Sequence, residues 1–524
     1  MLFNSFEFIY LFLPVTLIGY FLVAHAFGRK PAMAWLVAAS FFYYGSWNPI
    51  YLALIVASIA FNFALGSRIA MPSRSQVWRR RGLTAGVVTN LALLGYFKYA
   101  NFFVENVSRA TGLELDWSPV LLPIGISFFT FQQIAYLVDS YFGRTREPSF
   151  VNYALFVTFF PQLIAGPIVH HREMLPQFEE TSALRFQPDH FAIGVTVFFI
   201  GLFKKVILAD SVARYSTPLF DAARDGTVLG FFEAWGAALA FMLQLYFDFS
   251  GYSDMAIGLG RMFGIRLPFN FGSPYKSTSI IEFWRRWHIT LSRFLRDYLF
   301  IVLGGNRRGV TRGQVNLFIT MVLGGVWHGA GWTFAVWGAL HGAYLVVNFA
   351  FRQLRARLGL TGTTPAGRAV ATALTFVACT FALVFFRAET LESSLSVTRS
   401  MLGFDGVQLA RDWRPMLGGL ASFVPGLAFE GRGVLPARDW LSGLALILSL
   451  LVVVFAFPNT QEYVGLTDEA YYGGRRRGRR SLRGGPFERL QWRPNAVHWV
   501  FVFVLAILAT GYLGNATEFL YYQF

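Results

Sequence analysis

The run Asn316-Leu-Phe-Ile-Thr-Met-Val-Leu-Gly-Gly-Val-Trp-His328-Gly-Ala-Gly-Trp-Thr-Phe-Ala-Val-Trp-Gly-Ala-Leu-His341-Gly342 contains no Asp, Glu, Lys or Arg. An apolar stretch of this length has the composition of chain that enters a bilayer. Inside the hydrocarbon every backbone N–H and C=O must be satisfied within the segment, so the run must be helical or lie against other protein. It also puts an imidazole, His328, in its middle. An ionisable side chain at membrane depth is costly, and is by default a candidate for function.

The rest of the chain repeats the pattern. Of 524 residues, 55% are hydrophobic and 14% are charged, against about 25% charged in soluble chains. Apolar runs recur at 6–27, 33–46, 50–67, 84–105, 120–142, 151–169, 191–209, 229–247, 251–266, 315–330, 333–351, 369–387, 440–457 and 496–514. The expected fold is therefore all-α and polytopic, with about 11–14 transmembrane or re-entrant helices. Several runs are broken by Pro and Gly, as in Phe160-Pro161-Gln162-Leu163-Ile164-Ala165-Gly166-Pro167. Such backbone survives at depth only when protein or a watery cavity surrounds it. The first run has no basic residue before it and ends in Arg29-Lys30, so it is expected to be a retained span rather than a cleaved signal. We expect one membrane domain over 1–524, with peripheral helices in 1–110, a core in 120–350 and C-terminal helices in 366–524.

The net charge is +16, yet the cations do not form a nucleic-acid face. They lie in short links: Arg29, Arg79, Arg146, Arg308, Arg355, and a run from Arg475 to Arg483. Alternating sides from an outside N-terminus brings all of these links inside, as retention of positive charge on the cytoplasmic side requires. The partner expected of this charge is the anionic lipid surface, not nucleic acid. The 475–483 loop has the same reading. The single cysteine, Cys379, lies in an apolar run and is expected to be a small buried side chain.

Polar and aromatic residues concentrate in 246–341. Asp248 and Asp254 stand in Tyr246-Phe-Asp-Phe-Ser-Gly-Tyr-Ser-Asp254, and Asn270 follows in Pro268-Phe-Asn-Phe. In Phe283-Trp-Arg-Arg-Trp-His-Ile-Thr-Leu-Ser-Arg-Phe-Leu295, helical spacing would put Arg285, His288 and Ser292 on one face. Glycines 324, 325, 329 and 331 surround His328, allowing close helix approach. A lone histidine on an apolar face is more often a hydrogen-bonded core residue than a catalyst. His288 and His341 in the same region shift the balance toward a site. A buried neutral imidazole is suited to act as a general base.

Other chemistries lack their residues. No His-Glu-x-x-His occurs, and the adjacent His170 and His171 would diverge on any regular helix or strand, so no metal site is expected. There is no Gly-x-x-x-x-Gly-Lys-Ser/Thr and no Gly-x-Ser-x-Gly, hence no P-loop and no sign of a serine acyl-enzyme. What remains is a buried base without a protein nucleophile. A second possibility stays open: a transport or scaffold component whose histidines only line a passage.

The segments Phe283-Trp-Arg-Arg-Trp-His288, Gly325-Val-Trp-His-Gly329 and Trp337-Gly-Ala-Leu-His-Gly342 resemble the membrane-bound O-acyltransferase (MBOAT) family. The likeness is to its bacterial polysaccharide branch, which includes the alginate O-acetylation proteins, with D-alanine transfer proteins as more distant neighbours. Matches in order run along the chain, from Met1-Leu-Phe-Asn-Ser5 and Phe42-Tyr-Tyr-Gly-Ser-Trp47 to Glu518-Phe-Leu-Tyr-Tyr-Gln-Phe524. The resemblance implies a helix bundle around a funnel or tunnel, with His328 as the catalytic residue. His288 falls where the wider family carries a second polar residue, and His341, Asn270, Arg285 and Asp254 are supporting positions. It further implies acetyl transfer from a cytoplasmic thioester, acetyl-CoA, with no bound cofactor. The acetyl group would move toward an exported polysaccharide such as alginate. Periplasmic acetyltransferases and the synthesis and export machinery would be partners, and the location the bacterial inner membrane.

Overall fold

The computed structural model describes residues 1–145, 147–360, 362–409, 411–414, 419, 427–429, 433–466, 490–515 and 519–520. Arg146, the basic loop 475–483 and most of the 518–524 ending lie outside the described residues. The fold is all-α, apart from two three-residue strands, Val407–Leu409 and Leu427–Phe429, paired in parallel. Among the described residues six helices are long and apolar enough to cross a membrane: Phe8–Phe27, Pro49–Ile69, Pro188–Arg224, Trp332–Arg357, Pro365–Arg387 and Ala437–Ala456. Their outward residues are apolar too. Phe27, Ile50, Phe503 and Val497 are all exposed, a surface that water would not tolerate over such an area and that lipid matches. The protein is a polytopic membrane protein.

The chain folds into two units that interleave along the sequence: Met1–Phe203 with Gly251–Phe269 and Thr460–Ala516, and Lys204–Ser250 with Asn270–Asn459 and Thr517–Phe524. In the first unit, helices Leu13–Phe27, Arg29–Gly45, Pro49–Ile69, Gln76–Thr111 and Ile126–Tyr141 form the frame. Asn48 caps the third through the Ile50 amide, and Ser75 caps the fourth through Trp78, each satisfying an otherwise orphaned N–H. Polar pairs join the helices where no water could. Asn62 and Asn90 exchange amide hydrogen bonds of 3.2 and 2.7 Å, and Gln133 donates to Ser58 at 3.1 Å. Bonds of this kind hold helices together in lipid, where apolar burial gives no preference between neighbour and solvent.

The run 151–169 does not cross. Its helix, Phe150–Thr158, has nine residues and breaks at Phe159, after which Phe160–Leu163 forms one more turn. The break is held by Ser40, whose hydroxyl accepts from the Phe160 amide at 3.1 Å, and by Gln162, which donates to the Phe156 carbonyl at 2.6 Å. Leu163 then passes so close to Gly125 (φ 73°) that a Cβ there would meet its carbonyl. From that point the chain returns without regular structure to His170, whose ring lies 3.1 Å from Asp139, near the end of Ile126–Tyr141. The segment is thus re-entrant. Arg79 donates to the carbonyls of Ile69 and Tyr141, Arg144 bonds Asp139, and Arg29 reaches Glu179. The basic links of this unit therefore tie into the same group of segment ends, as their common side requires.

The runs 229–247 and 251–266 are one uninterrupted helix, Phe231–Met262. Gly251 does not break it. It lets Gly201 pack against backbone, since a Cβ on Gly201 would meet the Gly251 carbonyl and the Met255 amide. In a strictly alternating chain the re-entrant segment removes one crossing and the fused helix another, so the sides assigned to the later links are unchanged.

In the second unit, Val310–His328 and Trp332–Arg357 form a tight antiparallel hairpin. Its closeness depends on three glycines. A Cβ on Gly325 would strike the Phe334 carbonyl, on Gly338 the Met321 carbonyl, and on Gly342 the Phe318 ring. Pro365–Arg387 lies against this hairpin and buries Cys379. Lys205 sits 2.8 Å from both Asp210 and Asp248, a buried cation shared by two carboxyl groups.

Candidate active site

His328 is the last residue of Val310–His328, and Gly329 turns the chain away in an extended conformation (φ −155°, ψ 154°). A side chain at 329 would collide with the Phe334 ring, so glycine is what lets the helix end on a buried histidine. The ring is 6% exposed. Aromatic edges surround it: Trp327 at 5.0 Å, Trp337 at 5.1 Å and Phe386 at 5.3 Å between centroids.

His288 approaches from a different segment, with ring centroids 6.4 Å apart. The continuous helix expected over 284–295 is not present. Ile280–Trp284 and Ile289–Leu295 are separate helices, joined by a turn in which His288 has φ 42°. Arg285 is exposed while His288 is buried, so Arg285, His288 and Ser292 do not share a face. The cause is pairing with the preceding extended segment. The Gly272 amide donates to the Arg286 carbonyl (2.9 Å), and the Ile289 amide to the Asn270 carbonyl (3.0 Å). These bonds over-determine a left-handed conformation that a non-glycine residue rarely adopts, a kind of strain that clusters at functional sites.

Asn270 fixes the His288 ring. Its Oδ1 lies 3.1 Å from His288 Nδ1, and accepts from the Thr290 hydroxyl at 2.8 Å and the Thr290 amide at 3.3 Å. With two donors already on Oδ1, the side chain is oriented before it meets the imidazole. His288 lies in a turn outside the long spans, and burial pushes its pKa down to about 3. The imidazole is therefore neutral across the physiological range, with Nδ1 carrying the proton toward Asn270.

His341 is also in this unit, 1% exposed. It stacks on Phe283 at 6.2 Å and meets Trp284 at 5.1 Å and Trp337 at 4.8 Å. His341 Nδ1 and the indole nitrogens of Trp284 and Trp337 are buried, with no hydrogen-bond partner among the described residues. The three rings are in mutual contact, with Trp284 and Trp337 5.9 Å apart between centroids. The sequence reading did not single out the two indoles; their clustering required the hairpin geometry. Asp254 belongs to the first unit. There its two oxygens accept from Thr460 and Gln461, each at 2.6 Å, an anchoring role rather than an open carboxylate.

One earlier expectation fails on geometry. His170 and His171 do not diverge; their centroids are 4.4 Å apart. His170 is the extended residue before a helix (φ −98°, ψ 139°) and His171 is that helix's first residue. At such a junction neither the helical nor the strand period applies.

A buried pair of imidazoles, His288 and His328, walled by aromatic rings in a helical membrane protein, is an arrangement suited to acid–base chemistry. Residues 73–387 match the MBOAT, membrane-bound O-acyltransferase family, and the chain belongs to that family. It is an O-acyltransferase. The chain is 44% identical to the "Peptidoglycan O-acetyltransferase" of Helicobacter pylori, over 78% of this chain and 81% of that one. It is 42% identical to the "Probable alginate O-acetylase AlgI" of Pseudomonas aeruginosa, over 80% and 78%. A "Teichoic acid D-alanyltransferase" of Bacillus subtilis is 29% identical over 44% of this chain and 59% of its own.

Proposed function

We propose that the protein takes acetyl groups from a cytoplasmic thioester, acetyl-CoA, and passes them toward hydroxyls of a polysaccharide outside the bacterial inner membrane. Similar identity to relatives named for peptidoglycan and for alginate supports a glycan hydroxyl as the acceptor class. Periplasmic acetyltransferases and the polysaccharide export machinery are the partners this reading calls for. No resident cofactor or metal enters the reaction.

The observation that carries the reading is the approach of His288 to His328 in a buried aromatic enclosure. In this scheme His328 is the general base. It takes the proton of the acceptor hydroxyl as the oxygen attacks the acyl carbonyl; the new C–O bond forms, the C–S bond breaks, and the proton passes to the leaving thiolate. His288, held by Asn270, offers its other ring nitrogen to the same space. The Trp284 and Trp337 N–H groups are suited to receive the charge that develops on the carbonyl oxygen. Aromatic walls exclude the water that would hydrolyse the thioester.

The test is His328→Ala in the full-length protein. A positioned general base contributes about 10²- to 10⁴-fold, so acetyl content of the isolated polymer should fall by that factor while membrane insertion and polymer export continue. Undiminished acetylation, or loss of export with normal acetyl content, would overturn the assignment.

A further inference from the structure

The re-entrant segment of the first unit ends on a cluster that acyl transfer does not use. Asp139, His170 and His171 each bring one donor atom to within 4.8 Å of the others. His170 Nε2 is 3.1 Å and His171 Nδ1 is 3.7 Å from the same oxygen, Asp139 Oδ2. The other carboxylate oxygen is engaged elsewhere, 3.3 Å from Arg144 Nη1. His171 is 2% exposed, and neither of its ring nitrogens has a hydrogen-bond partner among the described residues. Asp139 is 1% exposed and His170 24%.

We propose that Asp139, His170 and His171 form a divalent-metal site, best suited to zinc, that fastens the returning limb of the re-entrant segment to the end of the Ile126–Tyr141 helix. Zinc takes imidazole nitrogen and carboxylate oxygen at about 2.0–2.2 Å in a tetrahedron, which sets the donor atoms roughly 3.3 Å apart. The observed 3.1 and 3.7 Å bracket that separation. Two nitrogens and one hard oxygen are a donor set zinc accepts, and the half-open edge at His170 leaves a place for water as fourth ligand. Arg144 on Oδ1 supplies the outer hydrogen bond that orients a ligating carboxylate. The site is structural, since it joins the returning limb of the re-entrant segment to the end of the Ile126–Tyr141 helix.

The cluster also admits a metal-free account, in which His170 and Asp139 are simply an ion pair and His171 is a packed ring. Metal content separates the two. Full-length protein in detergent, stripped with chelator and re-exposed to zinc, should hold about one equivalent per chain. Its cobalt form should show the intense visible bands of a low-coordinate site. His171→Ala and Asp139→Asn should weaken binding by about tenfold or more. His170→Gln alters the most exposed of the three and tests the site without threatening the fold, while His25→Gln, at an exposed position outside the cluster, should retain full zinc. Zinc should also raise the thermal midpoint of the wild type but not of His170→Gln. Failure of the wild type to take up zinc, or undiminished uptake by His170→Gln, would overturn the proposal.

Discussion

The second unit holds His288, His328 and His341 among aromatic rings, with the neutral amide of Asn270 on the ring of His288. The first unit holds His170 and His171 against one buried carboxylate. Both groups are buried imidazoles brought together from places where regular periodicity fails: a left-handed turn and a helix end in one, a loop-to-helix junction in the other. The neighbour decides what each can do. An amide orients a ring without changing its charge, and leaves a neutral base. A carboxylate brings an anionic oxygen that can share a cation with the rings, and makes a ligand set. The same residue type thus offers two chemistries within one chain.

The largest test of that contrast is to delete a base from one group and a ligand from the other. His328→Ala should reduce transfer by about 10²- to 10⁴-fold with zinc content unchanged. His170→Gln should remove zinc while acetyl transfer per folded molecule persists. A result in which both variants lose both properties would show that the groups act as one site.

The contrast can also be broken by moving the carboxylate. Asn270→Asp keeps the oxygen that Thr290 holds but places a negative charge 3.1 Å from His288 Nδ1. In the native protein burial holds the His288 pKa near 3, so its protonation contributes no pH dependence around neutrality. A neighbouring carboxylate raises that pKa. Transfer by the variant should then be fullest at neutral and alkaline pH and decline as pH falls through the raised value, which a rise of about 1–3 places near 4–6. A flat profile identical in shape to the wild type would mean that the charge state of His288 does not matter to the reaction.

Apolar length made the spans legible, because lipid imposes helix on any long apolar run. It could not distinguish crossing from return in 151–169, since both need the same composition. The decision lies in Ser40 and Gly125, remote in sequence, which hold the break and the turn. The separation of 229–247 from 251–266 erred in the opposite direction, because the polar stretch around Asp248 and Ser250 lies inside one continuous helix. The resemblance pointed to His328, His288 and Asn270, and the structure places all three in one unit. It did not foresee that His288 is displaced from any helix by the Asn270–Gly272 pairing, which moves Arg285 to the surface. Nor could spacing reveal the Asp139 cluster, whose convergence needs a junction conformation and a partner from another helix.

The smallest effect comes from the residue behind the residue. Thr290 donates to Asn270 twice, from its hydroxyl at 2.8 Å and its amide at 3.3 Å. Thr290→Val removes only the hydroxyl bond, leaving the longer amide contact to orient Asn270. A single hydrogen bond of this kind is worth about 0.5–1.5 kcal/mol, so kcat should fall by about two- to tenfold. Because Asn270 acts on the ring and not on the donor, the thioester KM should stay as it was. A Thr290→Ser variant restores the hydroxyl and should restore kcat. Were Thr290→Val instead to raise KM alone, Asn270 would be part of substrate binding, and the amide would not be the element that sets the second unit's histidines apart from the first's.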